Sequence, residues 1–159
     1  MKYARLTKEQ FEIFHEKFAE FLATQKIDNG EWKKIVETNP EKTEEQLDLF
    51  SDIVWEDVLK HAEYLEHVSP KDLKVFRFMK KSKVKMISIK IKGNLDIDLT
   101  QPDGITKVFE NIMDSRVLLY QGTKKINPYK RSEEMFQLIT EGCIISDDRI
   151  YKALSSAIS

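Results

Sequence analysis

The chain has 159 residues, an apolar fraction of 41%, a charged fraction of 33%, five glycines, four prolines and one cysteine. That length suits one globular domain that needs no staple, and the composition excludes disorder, an internal disulfide and long glycine-rich phosphate loops. Twenty-six basic residues nearly cancel twenty-seven acidic ones, which argues against coating nucleic acid with the whole surface; no apolar run approaches the ~20 residues of a membrane span, and Met1–Thr7 lacks a signal-peptide core, so a cytosolic home is expected.

Residues 1–69 read as helical. Thr7 and Gln10 have capping-box spacing, and behind them Phe11, Phe14, Phe18 and Phe21 form one stripe of a helix running to about Lys26. Asp28 and Glu31 open a short second helix with Trp32, Ile35 and Val36, and Asn39-Pro40 ends it or starts the next. Thr43 with Gln46 is expected to cap the third and longest helix, whose stripe is Leu47, Phe50, Val54, Val58, Ala62 and Leu65.

From Ser69-Pro70 the character changes. Residues 74–79 and 84–92 are rich in β-branched and aromatic side chains around a polar break, which predicts a hairpin. The phase of the second strand slips near Met86, so either a bulge sits there or its two ends are covered on different faces. Leu95, Ile97 and Leu99 alternate with Asp96 and Asp98 as a third strand. A helix then carries Ile105, Val108, Phe109, Ile112 and Met113, Val117 to Tyr120 reads as a short buried strand, and Gly122 to Arg131 as a loop. Ser132 is expected to cap a helix ending at Gly142, Cys143 to Ile145 to form a buried link, and Ser146 to cap the last helix. The expected class is α+β: a single domain, 1–159, with three N-terminal helices (1–69) packed on a small, mainly antiparallel sheet with C-terminal helices (70–159).

The segments Phe50-Ser51-Asp52-Ile53-Val54-Trp55-Glu56 and Glu63-Tyr64-Leu65-Glu66-His67, with Met1–Thr7 and Phe21–Gln25, resemble a family of short hypothetical proteins from flavobacteria and related Bacteroidetes. The likeness covers nearly the whole chain, more loosely after Lys92. It implies one cytosolic bacterial domain and carries over no activity and no catalytic residue.

The charge layout is the most informative feature. Residues 1–70 hold nine basic and sixteen acidic side chains, net −7; residues 71–92 hold nine basic side chains and only Asp72, net +8; the remainder is net −2. The hairpin cations are Lys71, Lys74, Arg77, Lys80, Lys81, Lys83, Lys85, Lys90 and Lys92, and Lys124, Lys125, Lys130 and Arg131 bracket Tyr129. The functional reading is a phosphate-binding surface with Tyr129 as a stacking platform. The competing reading is a solvated edge whose lysines deter strand addition, with Asp96 and Asp98 pairing Lys90 and Lys92.

Other constellations are thinner. Glu12-x-x-His15 is one half of a di-iron helix motif, and Asp57/His61 and Glu63/His67 are helical i,i+4 pairs that supply two ligands where zinc wants three. Asp96-x-Asp98 lacks a third carboxylate or a lysine at a diagnostic spacing. Cys143 lies in an apolar stretch, where thiols are inert. The acidic start of the last helix, Asp147-Asp148, counters a helix-turn-helix reading. No catalytic residue, metal or cofactor is assigned, and nothing points to a membrane or a small-molecule substrate. The expectation is a non-enzymatic interaction protein, with Trp55, Glu56, Tyr64 and His67 as candidate partner contacts. One alternative is an RNA- or ribosome-associated protein using the basic hairpin; another is a small enzyme with an acid/base or metal site near His61, Glu63 and His67.

Overall fold

The computed structural model describes residues 1–80 and 82–158. Among these are seven α-helices and one five-stranded antiparallel sheet, an α+β protein whose N-terminal helices precede the sheet and whose C-terminal helices follow it. The chain divides into two compact units, residues 1–58 and the chain from Leu59 onward.

In the first unit the Thr7 capping box forms as predicted, with the hydroxyl accepting from Gln10 N–H and the Gln10 side chain accepting from Thr7 N–H. The predicted first helix is interrupted at Phe14, giving α1 (Lys8–Ile13) and α2 (His15–Thr24). There the His15 ring nitrogen Nδ1 lies 2.9 Å from the Glu12 carbonyl oxygen and competes for the helical ladder. Asp28 caps α3 (Asn29–Thr38). Asn39 both ends α3 and opens α4 (Pro40–His61): its Oδ1 accepts from Lys42 N–H at 3.1 Å, and Pro40 takes the first position, where a missing N–H costs nothing. Thr43 therefore lies inside the helix rather than at its cap, its hydroxyl donating to the carbonyls of Asn39 and Ile35.

The phenylalanine stripe closes on Phe50 of α4. Phe18, Phe21 and Phe11 lie 5.0, 5.5 and 6.0 Å from its ring, and Trp32 meets Phe18 edge-on at 5.2 Å. Such aromatic pairs add about 0.5–1.5 kcal/mol each beyond area burial. The opening residues lie along α4. Buried Ser51 accepts from Leu6 N–H at 3.0 Å, the Asp52 carboxylate accepts from the amides of Lys2 and Tyr3 at 2.7 and 2.9 Å, and Arg5 pairs with Asp48 at 2.7 Å and with Glu44. Glu44, Asp48, Asp52 and Glu56 fall four residues apart, on one face of the helix, and each accepts from this segment.

The second unit corrects the predicted third helix. It ends at His61, and Tyr64–Ser69 is a strand, β1, so Leu65 belongs to the sheet rather than to the helical stripe. Strands β2 (Asp72–Met79) and β3 (Lys83–Ile91) form the predicted hairpin, β4 (Val117–Lys125) flanks β3, and β5 (Ile144–Ser146) flanks β1, giving the order β4-β3-β2-β1-β5. The β2–β3 register runs unbroken from Asp72 opposite Lys90 to Met79 opposite Lys83, so no bulge explains the phase slip at Met86. Instead the two ends are covered on different faces. Ile87, Ile89 and Ile91 join Leu73, Val75 and Val117 on the core face, with Tyr151 and Leu154 of α7 (Arg149–Ile158). Val84, with Phe76 and Phe78, faces α6 (Arg131–Thr140) on the other side.

Further differences have local causes. Leu95, Ile97 and Leu99 pack in the core as their alternation predicts, yet the segment is irregular: Leu99 N–H bonds to Pro70 O, and Lys71 Nζ takes the carbonyls of Leu95 and Ile97. Helix α5 (Gly104–Glu110) follows it and stops before Ile112 and Met113. Strand β4 continues five residues beyond Tyr120, through Gly122, because β3 offers partners as far as Lys83. Lys130, not Ser132, precedes α6, and Asp147 rather than Ser146 accepts the N–H of Arg149. At the end of α6, Gly142 (φ +115°) donates to Ile139 O and Cys143 to Leu138 O, a Schellman ending that glycine's backbone freedom permits. Cys143 is buried as expected, whereas Ile144 and Ile145 are exposed on β5.

Candidate nucleic-acid interface

The two basic clusters, more than thirty residues apart in the chain, meet at one end of the sheet. Antiparallel pairing of β3 with β4 sets Lys83 opposite Lys125, Val84 opposite Lys124 and Lys85 opposite Thr123. Beyond the last pair, Ile126 N–H donates to Ser82 O at 2.8 Å, which holds the hairpin turn against the end of β4. Lys80, Lys83, Lys124 and Lys125 are exposed there, Lys85 is half-buried, and Lys81 lies outside the described residues. Asn127 then caps a 3-10 turn, Pro128–Lys130, accepting from Tyr129 N–H at 3.0 Å. The turn leaves the Tyr129 ring 93% exposed, beside exposed Lys130.

Other candidate cations sit elsewhere. Arg77 is on the core face, where it pairs with Glu63 at 2.9 Å and covers the rings of Tyr64 and Tyr151 at 5.8 and 5.6 Å. The hydrogen bond to Glu63 holds its guanidinium above the usual arginine pKa. Arg131 is turned inward: it donates to the carbonyls of Leu59, Ala62 and Phe78 at 2.9, 2.6 and 3.0 Å. Two of those carbonyls close the end of α4, so Arg131 ties the helix terminus to β2, and its burial pulls its pKa down. Lys74 lies in the middle of β2 on the open face, and Lys124 contacts Glu134 at 3.4 Å. The predicted pairing of Asp96 and Asp98 with Lys90 and Lys92 does not form across strands. Lys90 stands between Asp72 and Leu118, and Asp98 accepts from Thr100, which holds its carboxyl below the usual range.

The candidate partner contacts divide between the units. Trp55 is half-buried on α4, and Glu56 accepts from the Tyr3 hydroxyl and from Lys2 Nζ. Tyr64 is 8% exposed and packs on Tyr151 in the core, while His67 points to the opposite face of the sheet. The strand also dissolves the predicted helical pair Glu63/His67: Glu63 is committed to Arg77, and the His67 ring lies against Gly142. His61 is the exposed last residue of α4. No group of three or more His, Cys, Asp and Glu side chains able to hold a metal occurs among the described residues. The Cys143 thiol is buried and pushed up in pKa by that burial.

One residue escaped sequence reasoning. Tyr120, 53% exposed, stands on the open face of β4 beside Ser88. Reading 117–120 as a short buried strand hid it; the alternation Leu119/Gln121/Thr123 against Leu118/Tyr120/Gly122/Lys124 was the signal.

Among the described residues no helix is long and apolar enough to cross a membrane. No curated protein and no solved structure matches the chain. A family model, described as a family of unknown function (DUF6495), matches residues 1–159, and the chain therefore belongs to that family.

Proposed function

We propose that this protein is a non-enzymatic docking protein of the bacterial cytosol that binds RNA by its phosphate backbone, using the basic end of its sheet. The observation that carries the reading is the convergence of Lys83, Lys85, Lys124 and Lys125 through the β3–β4 register, with exposed Lys80 in the adjoining turn. Like charges set directly opposite one another on neighbouring strands oppose folding, so a polyanion that neutralises them is the natural complement. Lysine point charges grip phosphate without reading bases, which fits backbone recognition rather than sequence readout. The test is an anisotropy titration of the full chain against a labelled 12-nucleotide oligouridylate at low salt. Saturable binding supports the reading; no binding at low salt sinks it.

A further inference from the structure

The sheet face opposite the core continues from the basic end through Lys124, while Lys83, Lys85 and Lys125 alternate onto the core side. Its residues follow from the pairing. On β4 they are Leu118, Tyr120, Gly122 and Lys124; on β3, Met86, Ser88 and Lys90; on β2, Lys74 and Phe76. Helix α6 covers the part nearest the turn, where a cavity of about 360 Å³ is floored by Phe76, Phe78 and Val84, and its C-terminal end at Gly142 reaches His67, the β1 partner of Lys74. The row Tyr120–Ser88–Lys74 crosses three strands: Tyr120 and Lys74 are exposed, Ser88 between them is buried, and Lys74 stands roughly 10 Å from Tyr120 at the usual strand spacing. Along β4 the same face presents a ring, a gap and a cation. A Cβ at Gly122 would meet nothing within 4 Å, so the surface between Tyr120 and Lys124 is open. Asp72 lies opposite Lys90, Glu134 lies against Lys124, and Glu141 lines the same cavity as Lys124 and Glu134.

We propose that this face binds single-stranded RNA, with one base stacked on Tyr120, the sugar over Gly122 and flanking phosphates at Lys124 and Lys74. An exposed aromatic ring inside a lysine-lined sheet face combines the two elements of sequence-tolerant single-strand binding: a stacking platform and a cationic track. Phosphate at Lys124 displaces Glu134 from an exposed ion pair, which costs little. Double-stranded RNA buries its base faces and gains only the charge term. The inference rests on the reading above, because it names the form of RNA and the residue that distinguishes bases from bare phosphate.

The experiment compares two probes, the 12-nucleotide oligouridylate and inorganic polyphosphate, with the full-length wild type, Tyr120→Thr and Tyr120→Phe. Threonine keeps a strand-forming residue on the edge, and matching thermal melts establish that each variant is folded. The expected result is a loss of oligouridylate affinity of about 5- to 100-fold in Tyr120→Thr, unchanged polyphosphate affinity, and near-wild-type behaviour of Tyr120→Phe. Equal weakening for both probes, or for neither, overturns the stacking site while leaving the backbone reading standing. A wild type that binds neither probe overturns both.

Discussion

Lys83 on β3 stands directly opposite Lys125 on β4, two exposed cations in one registered pair at the end of the sheet. Cross-strand pairs of opposite charge contribute about 0.2–1 kcal/mol, and like pairs oppose folding. Lys125→Glu should therefore raise the melting temperature slightly while weakening RNA binding, a trade of function for stability. A variant that melts lower and binds RNA as well as the wild type would contradict this account of the pair.

Arg131 gives a prediction of opposite kind. Its guanidinium supplies donors to three carbonyls, and methionine at that position leaves them without that partner. Arg131→Met should destabilise by about 2–4 kcal/mol, read by urea denaturation, with RNA affinity of the folded protein unchanged. Loss of affinity without loss of stability would return Arg131 to the binding surface.

Lys125 and Arg131 show how far the sequence could be read. Both belong to the second basic cluster, and composition alone assigns them one role. Only the register separates them, because the length of β4 decides which side chains reach the turn and which are carried past it to α6. Local signals were legible: the Thr7–Gln10 box, the Asp28 cap, the hairpin and the Gly142 ending all form. The signals that failed required tertiary partners. Tyr64–Ser69 fits a helical continuation of α4 until β2 and β5 pair with it on both sides. Leu95–Leu99 alternates like a strand but has Pro70 and Lys71, not a strand, as its backbone partners. Tyr120 is different: the alternation from Leu118 to Lys124 marks its face in the sequence, and the register with β3 adds which residues stand beside it.

The first unit offers a separate test of how the opening segment is held. Ser51 is fully buried and bridges Leu6 N–H to Leu47 O. Ser51→Ala leaves the Leu6 amide without that acceptor and should cost about 1–3 kcal/mol, with amide exchange accelerating first at residues 2–6. Unchanged protection there would show that the acidic face of α4, Glu44, Asp48, Asp52 and Glu56, holds the segment without Ser51.

Gly104 meets the preceding loop too closely for a side chain: a Cβ would lie 2.6 Å from Asp98 O and 3.0 Å from Leu99 Cα. Both are backbone atoms and cannot swing aside, so Gly104→Ala should destabilise by about 1–3 kcal/mol despite alanine's better helix propensity. A neutral or stabilising outcome would mean that α5 slides along the loop without cost.

The central claim is that phosphate, not a base sequence, is what the basic end of the sheet binds, and the salt dependence of RNA affinity tests it most directly. With four to six phosphate contacts, the log–log slope for the oligouridylate should be about −3 to −4, by the single-strand rule of roughly 0.7 per contact. Changing Lys83, Lys124 and Lys125 together to glutamine should flatten that slope by about 2 and weaken oligonucleotides of every sequence alike. A slope near zero, or a triple variant with the wild-type slope and affinity, would contradict the account.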